Sequence, residues 1–289
     1  MSPAAAHLSP PELPPLRDVI RRHGLDARRS LGQHFLLDAN LTARIARVAG
    51  DLSGVSVVEV GPGPGGLTRS LLAAGAARIV AVEKDPRCVA ALSELAQAYP
   101  QRLQVIEADA LTVDCRALVP APRAIVANLP YNVATPLLLG WLRQVSAYRR
   151  LVLMFQKEVA HRLCARPGDP DYGRLAVITG WVAEAAVEFT VDPRAFTPPP
   201  RVTSAVVSLV PRPQPLAAAD WSALERVTGA AFGQRRKMLR RSLASVGVDP
   251  AAAGVDATRR AEELTVEEFC ALARQLTAGA GAEPDQGRR

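Results

Sequence analysis

Cysteine is scarce and scattered. Four occur in 289 residues, at positions 88, 115, 164 and 270. No pair has metal-ligand spacing, and no disulfide framework is visible. That usage suits a reducing compartment. Histidine is equally sparse: there are four, none paired with a cysteine or aspartate at a spacing that suggests a metal centre or an activated nucleophile. No run of about 18 apolar residues is present to cross a bilayer. The first charged residue is Glu12, with no basic segment before it of the kind that opens a secretory signal. There is no internal repeat. These absences lead us to expect a soluble cytoplasmic protein, with no membrane contact and no bound metal. What is abundant is apolar: hydrophobic residues make up 48% of the chain, enough for one large domain and one small one. The net charge of +7 and pI near 9.7 permit a polyanionic partner without naming it.

Residues 1–15 are rich in Ala and Pro, and 279–289 are Gly, Ala and charged; both ends are expected to be disordered. A short helix over Leu16–His23 carries Arg17, Arg21 and Arg22. Arg28 and Arg29 follow, opposed only by Asp18 and Asp26. This is either a solvated face or an arm for phosphates. Ser30–Asp38 contains Phe35-Leu36-Leu37, read as a buried cluster or as a lid over a ligand, and an amphipathic helix follows over Ala39–Ala49. From Val55 strands and helices alternate, which implies a mostly parallel sheet. Seven strands are expected, at Val55–Val60, Ile79–Glu83, Leu103–Ile106, Ala124–Ala127, Leu151–Phe155, Val187–Val191 and Ser204–Val210. Helices are expected at Leu67–Ala76, Pro86–Ala98, Lys157–Cys164 and Tyr172–Ala183, and another opens at Leu137 with Thr135 as cap and Pro136 in its first turn. Pro211–Pro215 reads as a linker, and 217–277 is helical in pattern.

The stretch around which the rest is organised is Val57-Val58-Glu59-Val60-Gly61-Pro62-Gly63-Pro64-Gly65-Gly66-Leu67-Thr68. A buried strand runs into a glycine turn and then a helix, the arrangement that cradles a nucleotide-like ligand at the carboxyl end of a first strand. Glycines there let the ligand approach the backbone. The spacing is acid-x-G-x-G-x-G, not the dinucleotide pattern, and resembles motif I of S-adenosylmethionine (SAM) methyltransferases. Other candidates end successive strands. Glu83, about 20 residues on, can accept both ribose hydroxyls. Asp109 can accept from an exocyclic adenine amine.

Asn128-Leu129-Pro130-Tyr131 ends the fourth strand and resembles motif IV of the methyltransferases that act on exocyclic base amines. The chemistry accounts for the residue types. An adenine N6 lone pair is delocalised into the ring and is a poor nucleophile. The Asn128 carbonyl oxygen and the Leu129 carbonyl can accept both N6 hydrogens, steering the nitrogen toward sp³ geometry. Pro130 fixes the carbonyl direction, and Tyr131 offers a face or edge to the base. The sulfonium already activates the methyl, so the protein supplies positioning and electrostatics. Phe196, before Pro198-Pro199-Pro200, is a candidate second stacking face for a flipped-out adenine. A turn, or packing under the prolines, would be the blander account of these two segments.

Taken in order, Gln33–Asp38, Glu59–Thr68, Asn128–Pro136, Phe196–Val207 and Phe232–Leu243 resemble the small-subunit ribosomal RNA adenine N6,N6-dimethyltransferase family, over roughly residues 17–275. The resemblance implies a Rossmann-like α/β methyltransferase domain over 16–211 and a smaller all-helical RNA-binding domain over 216–278. It implies SAM as cofactor and two adjacent adenines near the 3′ end of 16S rRNA as substrate, late in ribosome assembly. By match, His34 and Leu36 line the methionine side of the cofactor, Gly61 and Gly63 its approach, Glu83 the ribose and Asp109 the adenine, while Asn128 serves cofactor and amine. His34 departs from the family's usual Asn, and the Gly65-Gly66 pair is a milder departure. Arg235, Arg236, Lys237, Arg240 and Arg241 place five positive charges in seven residues without an acid. On a helix, 236, 237, 240 and 241 would form a basic face for phosphates, with Phe232, Leu239 and Leu243 inward. A monomer acting on the small subunit is expected. The alternatives are an antibiotic-resistance enzyme acting on a large-subunit rRNA adenine, or a non-catalytic assembly or transcription factor of the same fold. The glycine spacing disfavours a NAD dehydrogenase; free adenine nucleotides or DNA as substrate stay open.

Overall fold

The computed structural model describes residues 12–25 and 33–280. The expectations for 1–11, for Arg28, Arg29 and Ser30–Gly32, and for 281–289 lie outside the described residues. The chain forms two compact units. One runs through Asn132 and takes in Pro193–Pro200; the other comprises Val133–Asp192 and the chain from Arg201. The main sheet has seven strands, four in the first unit and three in the second.

In the first unit the expected alternation is present. It comprises α1 (Leu16–Arg22), β1 (Phe35–Leu36), α2 (Ala39–Val48), β2 (Ser56–Val60), α3 (Gly66–Ala73), β3 (Arg78–Glu83), α4 (Pro86–Ala98), β4 (Leu103–Glu107), α5 (Cys115–Leu118) and β5 (Arg123–Asn128). The order β4-β3-β2-β5 is parallel throughout, with Val58 opposite Val80 and Ile125. Parallel strands bury both faces, and every residue of β2 is buried. Asp85 caps α4 by accepting the Arg87 main-chain N–H, and Pro86 takes the first helical position. A two-residue ladder pairs β1 with β8 (Phe196–Thr197), setting Leu36 opposite Phe196 and Phe35 opposite Thr197.

α6 (Tyr131–Leu142) starts earlier than expected, so Thr135 is not its cap and Pro136 lies inside it. Early in a helix the missing proline N–H forfeits one intrahelical bond; Ala134, Leu137, Leu138, Trp141 and Leu142, all buried, offset that loss by packing. In the second unit β6 (Arg150–Gln156), β7 (Ala183–Val191) and β9 (Ser204–Pro211) form an antiparallel order β6-β9-β7, with a register shift between Val187 and Phe189. The helices are α7 (Lys157–Cys164), α8 (Arg174–Val182), α9 (Trp221–Gly233), α10 (Leu239–Ser242) and α11 (Val266–Ala280). β7 begins at Ala183, where an extension of the preceding helix was expected. The stretch expected as a linker is tied back: Arg212 N–H donates to the Val182 carbonyl and Leu216 N–H to that of Trp181. An edge-to-face pair, Tyr172 on Phe232, continues into Phe269, with centroids 5.9 and 5.4 Å apart. These rings pack α9, α11 and the turn before α8 against one another.

Candidate active site

The carboxyl ends of β2, β3, β4 and β5 carry Gly61, Glu83, Asp109 and Asn128. The glycine turn is bare by necessity. Gly63 has φ +56°, and a Cβ there would stand 3.0 Å from the Phe35 ring, so β1 closes on the turn. Gly61 N–H donates to the Val82 carbonyl, and a Cβ at Gly61 would meet Pro130 at 3.6 Å and the Asn128 carbonyl at 3.8 Å. The glycine turn therefore lies against the Asn-Leu-Pro-Tyr segment.

Glu83 is buried and accepts three main-chain N–H groups, from Gly63 (3.0 Å), Lys84 (2.8 Å) and Asp85 (2.9 Å). Burial raises its pKa, and those hydrogen bonds hold it partly down. Asp109 is more open. It accepts Lys84 Nζ at 2.7 Å and the Leu111 N–H at 3.0 Å, and the lysine holds its carboxyl below the ordinary range. Glu59, on β2, is buried with neither oxygen making a full hydrogen bond. Desolvation pushes its pKa up to about 8, although the neighbouring Thr68 hydroxyl draws it down somewhat.

Asn128 is oriented through its Nδ2, which donates to the His34 carbonyl at 3.1 Å. Only the NH2 end of an amide can donate to a carbonyl, so Oδ1 is the end left to accept. The His34 ring bonds the Pro198 carbonyl at 2.8 Å through Nδ1 and stacks on Tyr131 with centroids 6.0 Å apart. Phe196 is 3% exposed and sets its edge toward His34 at 6.4 Å. In this conformation it is buried against the His34 ring, and the stacking role expected for it would require its face to be uncovered. Leu36 and Leu129 are buried beside these groups, while Pro130 and Tyr131 stay partly exposed.

The structure thus brings His34, Leu36, Gly61, Gly63, Glu83, Asn128, Leu129, Pro130, Tyr131 and Phe196 into one region of the first unit, with Asp109 joined to it through Lys84. Sequence reasoning missed Gln33, whose amide donates to Asp85 Oδ2 at 3.0 Å, and Arg87, which holds the same carboxylate. The Asp85-Pro86 helix-start signal was available, but not the reach of Gln33 across the fold. The basic cluster is not on one helix. α9 stops at Gly233, a turn closed by Lys237 N–H on the Gln234 carbonyl follows, and α10 begins at Leu239. Arg235 pairs with Glu262 at 2.8 Å and donates to the Pro170 carbonyl, so that charge is neutralised by an acid far along the chain. Arg236, Lys237, Arg240 and Arg241 are exposed, while Leu239 and Leu243 are buried as expected. Among the described residues no group of His, Cys, Asp or Glu could hold a metal ion, and no helix is long and apolar enough to cross a membrane.

Comparison with known proteins gives the same direction. The chain is 63% identical over 269 residues to the ribosomal RNA small subunit methyltransferase A of Rhodospirillum rubrum, covering 92% of this chain and 93% of that one. A crystal structure of the 23S rRNA methyltransferase ErmE matches with TM-score 0.64 and 31% identity, covering 84% of this chain and 99% of that one. The fold is also that of a dimethyladenosine transferase from Plasmodium falciparum, with TM-score 0.73 at 22% identity over 86% of this chain and 98% of the other. The family model for ribosomal RNA adenine dimethylase matches residues 24–278, and the chain belongs to that family.

Proposed function

We propose that this protein uses SAM to dimethylate the N6 amines of two adjacent adenines near the 3′ end of small-subunit 16S rRNA. The observation that carries the reading is the Asn128 amide, whose NH2 end donates to the His34 carbonyl and so leaves its oxygen as the end that can accept from an amine. The residues present fit the cofactor. A side-chain-free turn lies at the end of β2, Glu83 is held by main-chain N–H groups at the end of β3, and Asp109 lies beyond β4. When bound, SAM supplies an electrophilic methyl on a sulfonium. Glu83 accepts the ribose hydroxyls, Asp109 the adenine amine, and His34 with Leu36 covers the methionine end. Asn128 Oδ1 and the Leu129 carbonyl accept hydrogen bonds from the two N6–H groups and aim the nitrogen lone pair. Tyr131, stacked on His34, meets the target base. No base has to act before transfer, because the methylated amine becomes acidic only once the new N–C bond forms. The same proposal assigns 16–211 as the methyltransferase domain and 216–278 as the RNA-binding domain, and takes the enzyme to be a cytoplasmic monomer.

The likeness to ErmE keeps large-subunit rRNA as the second reading. Transfer of labelled methyl from SAM to unmethylated small subunits, large subunits and duplex DNA separates the two. Dimethyladenosine in small-subunit rRNA alone is expected, with Asn128→Ala losing at least about 100-fold in rate, the scale of losing an oriented contact used in the transition state. Label in large-subunit rRNA overturns the substrate assignment. Tight binding of SAM and small subunits without transfer overturns the catalytic one.

A further inference from the structure

The Asn128 amide has its orientation from the His34 carbonyl, and His34 is itself held from several sides. Its ring bonds the Pro198 carbonyl. The residues after it pair with Phe196 and Thr197. The residue before it, Gln33, reaches Asp85. Asp85 is an unusual anchor. Its side chain is completely buried beside Arg87, which meets it with Nη2 at 2.7 Å, Nε at 3.1 Å and the main-chain N–H at 3.1 Å. The guanidinium fork is the rigid, charge-assisted geometry that holds a carboxylate in one orientation. Arg87 Nη1 also donates to the Gly24 carbonyl at 3.2 Å. The same ion pair therefore grips the chain at Gly24 and, through Gln33, immediately before His34. With Arg87 and the main-chain N–H on one side, Asp85 Oδ2 keeps a lone pair for Gln33.

We propose that Gln33 and Asp85 are positioning residues for methyl transfer: the Gln33–Asp85 hydrogen bond sets the main chain at His34, whose carbonyl turns the Asn128 amide oxygen toward the target amine. The inference rests on Asn128 being the acceptor for that amine. It adds that the chemistry at the end of β5 depends on a buried ion pair at the start of α4. Nothing in the relay touches the reacting atoms, so its signature is a loss of alignment. Arg87 holds the Asp85 carboxyl down to about 2, so the anchor stays charged throughout the working pH range.

Gln33→Leu, similar in size but without the donor, tests this without disturbing the cap of α4. The expected result is a kcat lowered by about tenfold or more, with a melting temperature close to the parent's. The Asn128 side-chain NH2 signals in ¹⁵N spectra of the intact protein should move toward those of an amide without a carbonyl partner. Gln33→Lys restores a donor to Asp85 and should recover most of the loss, whereas Gln33→Glu sets two carboxylates together and should not. Adding Asp85→Asn to Gln33→Lys should remove the rescue. An unchanged kcat in Gln33→Leu, or unmoved Asn128 signals, overturns the relay. Full transfer by Asn128→Ala would instead overturn the underlying role of Asn128, a separate result, because the Asn128 signals report the hydrogen bond whether or not catalysis uses it.

Discussion

Two carboxyls within three residues of a strand end show how position decides charge. Glu59 lies inside β2 with no full hydrogen bond, and its pKa is pushed up to about 8. Asp85 is as deeply buried, yet the Arg87 fork beside it lowers its pKa to about 2. The stability consequences have opposite signs. For Glu59 the folded state binds the proton more tightly than the unfolded chain, so stability falls as pH rises from the ordinary carboxyl range through about 8. Glu83, raised by burial, adds to the same trend. For Asp85 the stabilisation is present at neutral pH and is lost only as pH falls below the ordinary range toward about 2. Urea unfolding of the parent between pH 5 and pH 8 should show a decline on the order of a few kcal/mol. Glu59→Gln should flatten that slope and match or exceed the parent at pH 8. A parent curve level across this window would mean that Glu59 is ionised in the fold. The acid two residues before Gly61 was legible in the sequence as part of a glycine motif; its protonation was not, because that depends on burial from every side.

At the scale of elements, the glycines sort by what surrounds them. Gly66, the second of an unusual pair, opens α3 where the Leu36 carbonyl of β1 passes 2.5 Å from the place a Cβ would occupy. Backbone cannot yield there as a flexible side chain would. Gly66→Ala should therefore push β1 away from α3 and destabilise by about 1–3 kcal/mol. Gly140, inside α6, has nothing within 4 Å of such a Cβ. Gly140→Ala should stabilise by about 0.5–1 kcal/mol through helix propensity. Urea unfolding of the two variants checks both, and equal effects would show that the close approach at Gly66 is not limiting. The strands of the parallel sheet were readable because buried β-branched runs alternate with helical periodicity. The two-residue β1–β8 ladder was not. It is too short to carry a period, and it joins segments from opposite ends of the unit. The start of α6 was misjudged for a related reason: Pro136 looks like a first-turn residue locally, and only the packing of its buried apolar residues shows the helix already running.

Across the whole molecule the net charge of +7 is unevenly used. Arg235 is spent within the fold on Glu262 and the Pro170 carbonyl, a pairing that no local pattern could reveal. Arg236, Lys237, Arg240 and Arg241 are exposed on the turn and on α10, and no ion pair is seen for their side chains among the described residues. That the segment is a turn and a short helix changes which charges can meet phosphates together, but leaves four of the five available. The two groups should behave differently toward RNA. Each phosphate contact releases condensed counterions, so the slope of log affinity against log salt should shrink by roughly one for each of these four residues replaced by Ala. Arg235→Ala should leave that slope nearly unchanged and instead lower the stability of the α9–α10 turn. Filter binding of small-subunit rRNA from low to moderate salt makes the comparison. If the slope ignores all four, the RNA path does not cross this patch; if it responds to Arg235, the Arg235–Glu262 pair opens when RNA binds.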